Sequence, residues 1–191
     1  MSDPESRKHK QGIVEEIPPA DREIFERMSR EELYAYIMML IRDIWRVDGL
    51  YFLGIEKRRG MQEATDVDAD TWDYMGKVEA RELKKFLGIE EPTPAQVLWM
   101  LRHTSWAVSH PMKSFEVYDE GRARFTVDQC RTQLIRLDKG LDPHPCRQVR
   151  ERYLQQFVKE CNPKVELVVV SCPPDRVRED IWCEWEFRWA R

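Results

Sequence analysis

The spacing of apolar residues changes once along the chain, and this change constrains the fold more than any other feature. Before residue 110, apolar side chains recur three and four positions apart, as in an amphipathic helix. The clearest series is Leu33, Ile37, Leu40, Ile44, Val47 and Tyr51. From Phe115 onward they alternate with polar residues, as in strands. Helical spacing followed by strand spacing predicts an α+β fold, in which an N-terminal helical layer packs on a C-terminal, mostly antiparallel sheet of about four strands.

Capping residues, glycines and prolines predict where the helices begin and end. Ser29 and Glu32 form a capping-box pattern. Gly60, Gly88 and Pro111 are stop signals. The predicted helices of the first half span residues 30–60 at most, 69–87 and about 94–109. Asp68 or Asp70 is the expected N-cap of the second helix.

The second half reads as a hairpin followed by alternating helices and strands. The hairpin strands flank the turn signal Asp119-Glu120-Gly121. Further helices are predicted at 133–139 and 147–161, and further strands at 165–171 and 182–189. Residues 1–20 are predicted to be a disordered tail. Residues 21–191 are predicted to form one domain, with a helical part at 29–110 and a sheet part at 113–191.

Composition limits the classes of function. The chain has 191 residues, of which 35% are charged, with a net charge of −4 and both signs well mixed. We therefore expect no nucleic-acid partner. The polar start lacks the apolar core of a signal peptide, and no apolar run approaches the ~18 residues that cross a bilayer. We expect a cytoplasmic protein with no membrane partner, whose five cysteines are reduced.

All five cysteines lie in the last third of the chain: Cys130, Cys146, Cys161, Cys172 and Cys183. Cys130 and Cys146 each stand at the start of a predicted helix, where free N–H groups stabilise a thiolate. Three readings remain open. The thiols are reactive or bind substrate; or Cys130, Cys146, Cys172 and His144 form a zinc site; or the cysteines are separate buried residues. No CxxC pair supports the zinc reading.

Polar residues on apolar helix faces suggest a second kind of site. Asp48 shares a stripe with Trp45 and Phe52, and Glu79 lies on the apolar side of the next helix. His103 aligns with two tryptophans, so it is either a site residue or a satisfied, partly buried histidine. Such groups cost stability unless they are paired or bind a ligand. The enzyme reading takes Cys130 or Cys146 as nucleophile and His103 or His144 as acid–base group, oriented by Glu79. Rim salt bridges are the alternative.

Several short segments resemble a family of small bacterial and archaeal cytosolic proteins of unknown function. They are residues 54–60 (GIEKRRG), 76–80 (GKVEA), 130–133 (CRTQ), 172–175 (CPPD) and 182–187 (WCEWEF). This family is distantly similar to the L-2-amino-thiazoline-4-carboxylic acid hydrolases, which open a cyclic amidine ring. The resemblance spans about residues 30–189 and implies a hydrolase of a cyclic amidine-like substrate.

Two functional hypotheses follow. The first is a cytosolic small-molecule-binding protein or hydrolase that acts on a small C–N compound in a cysteine-lined site. The second is a zinc-binding or redox-sensing module that uses Cys130, Cys146 and Cys172. The seven tryptophans fit either a pocket for a flat ligand or an ordinary core. The expected partners are a small-molecule ligand and a second copy in a homodimer.

Overall fold

A computed structural model describes residues 17–190. Positions 1–16 of the predicted disordered tail lie outside these residues. The prediction that the tail extends to residue 20 is wrong, because the first helix begins at Pro19.

The described residues form seven helices and a four-stranded sheet. The helices are α1 (Pro19–Glu26), α2 (Arg30–Arg59), α3 (Met61–Leu87), α4 (Pro94–Leu101), α5 (Ser105–Ser109), α6 (Arg131–Asp138) and α7 (Cys146–Cys161). The strands are β1 (Met112–Asp119), β2 (Arg122–Gln129), β3 (Val165–Ser171) and β4 (Cys183–Trp189). The α+β fold, with helices first and a sheet after them, is confirmed.

Helix α2 starts with the predicted capping box. The Ser29 hydroxyl accepts a hydrogen bond from the Glu32 N–H at 3.3 Å, and the Glu32 carboxylate accepts one from the Ser29 N–H at 2.7 Å. The helix then runs unbroken to Arg59. Gly60 ends it with a φ of +93°, which is open to glycine at little cost.

Helix α3 begins at Met61, eight residues before its predicted start. The prediction of Asp68 or Asp70 as its N-cap is therefore wrong, because both lie inside the helix. Gly60 turns the chain directly from one helix into the next, so no aspartate cap is used. Asp68 is buried instead, on the face that α3 turns toward the protein interior.

The predicted helix at 94–109 is two helices. Thr93 caps α4 through a capping box with Gln96, and Thr104 caps α5 by accepting a hydrogen bond from the Ala107 N–H at 3.2 Å. The Thr104 hydroxyl also donates to the Leu101 carbonyl at 2.8 Å. This second cap breaks the helix and reorients α5 toward the cavity described below.

The sheet has the strand order β1-β2-β4-β3, and each neighbouring pair is antiparallel. Phe125 of β2 lies opposite Trp185 of β4, and both are fully buried. Helix α4 packs against β2 and β4, whereas α7 packs between β3 and α3. The core is therefore one layer of helices over one face of the sheet.

Helices α3 and α7 approach most closely at Gly76. A Cβ atom there would overlap the Tyr153 carbonyl oxygen and lie 3.2 Å from the Phe157 nitrogen. This position requires glycine because the two backbones touch. None of the helices within residues 17–190 is long and apolar enough to cross a membrane.

Candidate functional site

A cavity of about 300 Å³ lies between the helical layer and one end of the sheet. Its walls come from the inner face of α2, the end of α5, the start of α6, the start of α7 and the residues that precede and open β4. The side chains used below are Trp45, Asp48, Asp68, Trp106, His110, Cys130, His144, Cys146, Arg150 and Cys183. Four of these residues stand at the ends of helices or strands: His110, Cys130, Cys146 and Cys183.

The guanidinium of Arg150 is the central charge of the cavity. The residue is only 6% exposed. Its Cζ lies 4.5 Å from the ring centre of Trp72, 4.9 Å from that of Trp45 and 5.7 Å from that of Trp106. The rings of Trp45 and Trp72 are stacked with their centres 4.7 Å apart. Cation–π contacts thus replace part of the hydration that burial removes from the arginine.

Polar atoms without partners are concentrated at this cavity. Within the described residues, seven buried side-chain nitrogen atoms have no hydrogen-bond partner. Five belong to residues that line the cavity: Trp45 Nε1, His110 Nδ1, His110 Nε2, His144 Nδ1 and Arg150 Nη1. Because native proteins rarely leave such groups unpaired, this concentration indicates a place where a polar ligand or ordered water binds.

Two carboxylates and a histidine stand near the arginine. The His144 Nε2 atom lies 3.3 Å from Asp68 Oδ2, and Asp48 Oδ1 accepts a hydrogen bond of 2.9 Å from Trp72 Nε1. Burial raises the pKa of Asp48, and the nearby charge of Asp68 raises it further. Asp48 therefore holds a proton to a higher pH than an exposed aspartate does.

The backbone of His144 is held in place by the side chain of Gln133. Its backbone N–H donates to Gln133 Oε1, and its carbonyl accepts from Gln133 Nε2, both at 2.9 Å. The ring also packs on Phe52, with ring centres 4.5 Å apart. The backbone of His144 is thus held by α6 and its ring by α2 and α3, while the buried Nδ1 has no hydrogen-bond partner.

His110 faces the cavity from the end of α5. Its ring makes an edge contact with Trp106, with centres 5.3 Å apart. Burial lowers the pKa of His110 to about 3, and the positive charges of Arg150, Lys113 and Arg131 act in the same direction. At neutral pH the ring is uncharged, so it offers one N–H donor and one acceptor.

The lining carries an excess of positive charge. Six cationic side chains contribute to it: Arg42, Arg46, Arg131, Arg136, Lys139 and Arg150. Asp48 and Asp68 are the two carboxylates among the lining residues. Arg136 is already neutralised by a bidentate pair with Glu56, at 2.8 Å for each contact. The positive charge that remains in the lining favours an anionic ligand.

Four of the five thiols are neighbours. Cys130, Cys146 and Cys183 line the cavity, and Cys172 is close enough that a charge on any of these three would raise its own pKa. Backbone N–H groups at the start of α6 lower the pKa of Cys130, as a helix N-terminus should, but burial outweighs them. Burial also raises the pKa of Cys146, Cys172 and Cys183. The thiols are therefore protonated at neutral pH, which gives no support to a thiolate nucleophile.

We expect the native protein to resist alkylation. At pH 7.5 and 25 °C, iodoacetamide should label Cys130, Cys146, Cys172 and Cys183 at least about 100-fold more slowly than it labels the same cysteines in urea, because buried thiols are both neutral and inaccessible. Mass spectrometry of a time course measures this. Complete labelling of the unfolded chain is the control. Rapid labelling of Cys130 or Cys146 in the folded chain would restore the nucleophile hypothesis.

The other predicted site residues lie elsewhere. His103 is exposed, and its Nδ1 is 2.8 Å from the Trp99 carbonyl oxygen. Glu79 accepts a hydrogen bond of 2.6 Å from the Tyr153 hydroxyl, and burial raises its pKa. Neither residue lines the cavity. Cys161 is also remote, with its sulfur 3.9 Å from that of Met100.

The zinc hypothesis gains nothing from the geometry. In the described part of the chain, no group of three or more His, Cys, Asp or Glu residues is arranged to hold a metal ion. Cys130, Cys146, Cys172 and His144 are neighbours of the same cavity, but they do not form such a group. Zinc binding and redox sensing therefore stay predictions without structural support.

Arg150 was missed by the sequence analysis, although a signal was present. Cys146, Arg150, Tyr153 and Phe157 recur at helical spacing along the buried face of α7. A charge on an apolar stripe is the same signal that singled out Asp48. The sequence did not single it out because six basic and acidic residues are spread over positions 147–160.

The fold and the cavity define an α+β protein with a cation-rich cavity lined by aromatic side chains. Residues 26–189 match the sequence profile of a family of unknown function, DUF6125, and the chain belongs to this family. Neither the curated proteins nor the solved structures include a match to the chain.

Proposed function

We propose that the protein binds a small organic carboxylate in the cavity. The observation that carries this proposal is Arg150, a buried cation with an unpartnered Nη1 and no carboxylate within salt-bridge distance among the described residues. A carboxylate would supply two acceptors to a guanidinium, and Trp45 Nε1 offers a further donor. A phosphate is less suitable because its second charge would be repelled by Asp68.

The rest of the ligand would be flat and apolar. Trp45 and Trp106 present ring surfaces beside Arg150, and Phe52 adds a third aromatic wall. A cavity of about 300 Å³ matches a ligand with a single small ring. Recognition would thus combine one charge with aromatic packing.

We further propose that the reaction is hydrolysis of a C–N bond in such a ligand. With the Nε2 proton of His144 directed to Asp68, Nδ1 has a free lone pair that can take a proton from water. The resulting hydroxide would add to the carbon of the C–N unit. Protonated Asp48 would give its proton to the departing nitrogen as the bond breaks. The resemblance to L-2-amino-thiazoline-4-carboxylic acid hydrolases supports this reaction, because their substrate combines a carboxylate with a cyclic amidine.

A thermal-shift panel tests the binding proposal. At ten times its Kd, benzoate should stabilise the fold by about 1.4 kcal/mol, which corresponds to a rise in Tm of roughly 3–6 °C. Benzyl alcohol and benzylamine share the ring without the negative charge and should give little shift. Equal shifts by benzoate and benzylamine, or none by benzoate up to 20 mM, would overturn the proposal. Phenyl phosphate stabilising more than benzoate would reassign the site to phosphate.

A second measurement separates binding from hydrolysis. The protein is incubated with 2-amino-thiazoline-4-carboxylate, and mass spectrometry follows the addition of water. Asp48→Asn should retain binding and lose ring opening. If the wild type binds the compound without opening the ring, the protein is a binding protein and the hydrolase proposal fails.

A further inference from the structure

Helix α2 has a second apolar face that no element within residues 17–190 covers. Trp45, Asp48 and Phe52 face the body of the protein, whereas another set of apolar side chains faces away from it. This set, called the outer α2 face below, is 44–72% exposed: Ile37, Leu40, Ile44, Val47 and Tyr51. The seam between Leu33 and Tyr51 that the sequence analysis noted is therefore an external surface.

The spacing of this face is that of a helix–helix interface. From Leu33 to Tyr51 the apolar positions alternate strictly four and three residues apart, which is the a/d pattern of a seam between two helices. The inner stripe of Trp45, Asp48 and Phe52 has the same spacing and packs on the body of the protein, through the stacking of Trp45 on Trp72 and of Phe52 on His144. The outer α2 face is 44–72% exposed instead, so it has the pattern of an interface without a partner among the described residues.

The charges at the ends of α2 specify how two copies would pair. The first turn carries Glu31 and Glu32, and the last turn carries Lys57, Arg58 and Arg59. In an antiparallel pair the acidic start of each helix meets the basic end of the other, and the helix dipoles are opposed favourably. A parallel pair would place like charges together. The midpoint of α2 is close to Ile44, so a two-fold axis would pass there.

We propose that the outer α2 face binds a second copy of the chain as an antiparallel, two-fold symmetric helix pair centred on Ile44. This proposal does not depend on the ligand of the cavity, which lies on the other side of α2. The interface is isologous, so each copy contributes the same residues.

Mass in solution is the first test. Light scattering after gel filtration should give twice the chain mass of 22.9 kDa for the wild type at 50 µM. Ile44→Glu places two carboxylates at the axis and should give the single-chain mass. Val177→Glu is the matched control because Val177 is 69% exposed outside α2, and it should leave the dimer intact. A monomeric wild type, or a dimeric Ile44→Glu, would overturn the proposal and leave the face to a different partner.

Disulfide trapping tests the geometry even if Ile44→Glu folds poorly. Ile44→Cys should cross-link to itself under mild oxidation. Ile37→Cys should not, because two copies of position 37 would lie about 21 Å apart along antiparallel helices, far beyond the ~7 Å limit between the Cα atoms of a disulfide. The double variant Ile37→Cys/Tyr51→Cys should cross-link again. Cross-linking of Ile37→Cys alone would establish a parallel pair and refute the antiparallel arrangement.

Discussion

Replacing Arg150 with methionine is expected to raise the Kd for benzoate at least about 30-fold, because truncating one partner of a buried charge pair costs roughly 2–5 kcal/mol. Methionine reaches a similar distance and packs well among aromatic rings. It removes the cation–π contacts with Trp45 and Trp72 but also a buried charge that has no carboxylate within salt-bridge distance in the described part of the chain. The free energy of unfolding should therefore change by only about 1 kcal/mol in either direction.

Calorimetric titration with benzoate, combined with urea unfolding, separates the two effects. Arg46→Met is the matched control because Arg46 also lines the cavity, but it is exposed and pairs with Asp43. This control should weaken binding less than about threefold, as expected for an exposed charge. Unchanged benzoate affinity in Arg150→Met would remove Arg150 from the site. If this variant does not fold, Arg150→Lys keeps the charge, and it should still weaken binding by losing the planar pair of donors.

Replacing Gly76 with alanine should destabilise the protein by about 3 kcal/mol, at the upper end of the usual cost of overpacking. The added methyl group would meet backbone atoms of α7, the Tyr153 oxygen and the Phe157 nitrogen, rather than a flexible side chain. Because α3 and α7 cannot separate without disturbing the core, the strain has no local relief. The midpoint of thermal unfolding should fall by roughly 6–12 °C.

Gly54→Ala is the matched control within a helix. Nothing lies within 4 Å of a Cβ atom at Gly54, so alanine should stabilise α2 by up to about 1 kcal/mol through its higher helix propensity. Urea unfolding of both variants measures the contrast. Equal stabilities for Gly76→Ala and the wild type would show that the two helices do not meet as closely as described.

Elements with a regular sequence pattern were predictable. The strand at 165–171 is found at these residues, and the hairpin around Asp119-Glu120-Gly121 is present. Alternating apolar residues and turn residues are local signals, so they can be recognised in the sequence without knowledge of the fold. The predicted start of α3 was wrong because it was placed at a polar N-cap residue. Gly60 instead lets α3 follow α2 directly, without such a cap.

The site was only partly predictable because it depends on which elements meet. The stripe of Trp45, Asp48 and Phe52 was identified, and Cys130 and Cys146 were placed at helix starts. Nothing in a linear pattern indicates that these positions share a cavity with Asp68 and Arg150. The burial of a side chain also cannot be read from the sequence alone. For Cys130, burial raises the pKa of the thiol by more than the N–H groups at the start of α6 lower it.

Helix α2 forms a wall of the cavity, yet Phe52 is its one fully buried side chain. Its contacts near the cavity include the stacking of Trp45 on Trp72, the hydrogen bond from Trp72 to Asp48, the packing of Phe52 on His144 and the pair of Glu56 with Arg136. A helix with so little buried side-chain surface is expected to open locally at a lower free energy than global unfolding requires. For the ligand proposed above, exchange with bulk solvent would then proceed through local opening of α2 while the sheet stays intact, so the residence time of the ligand and the thermal stability of the protein could change independently.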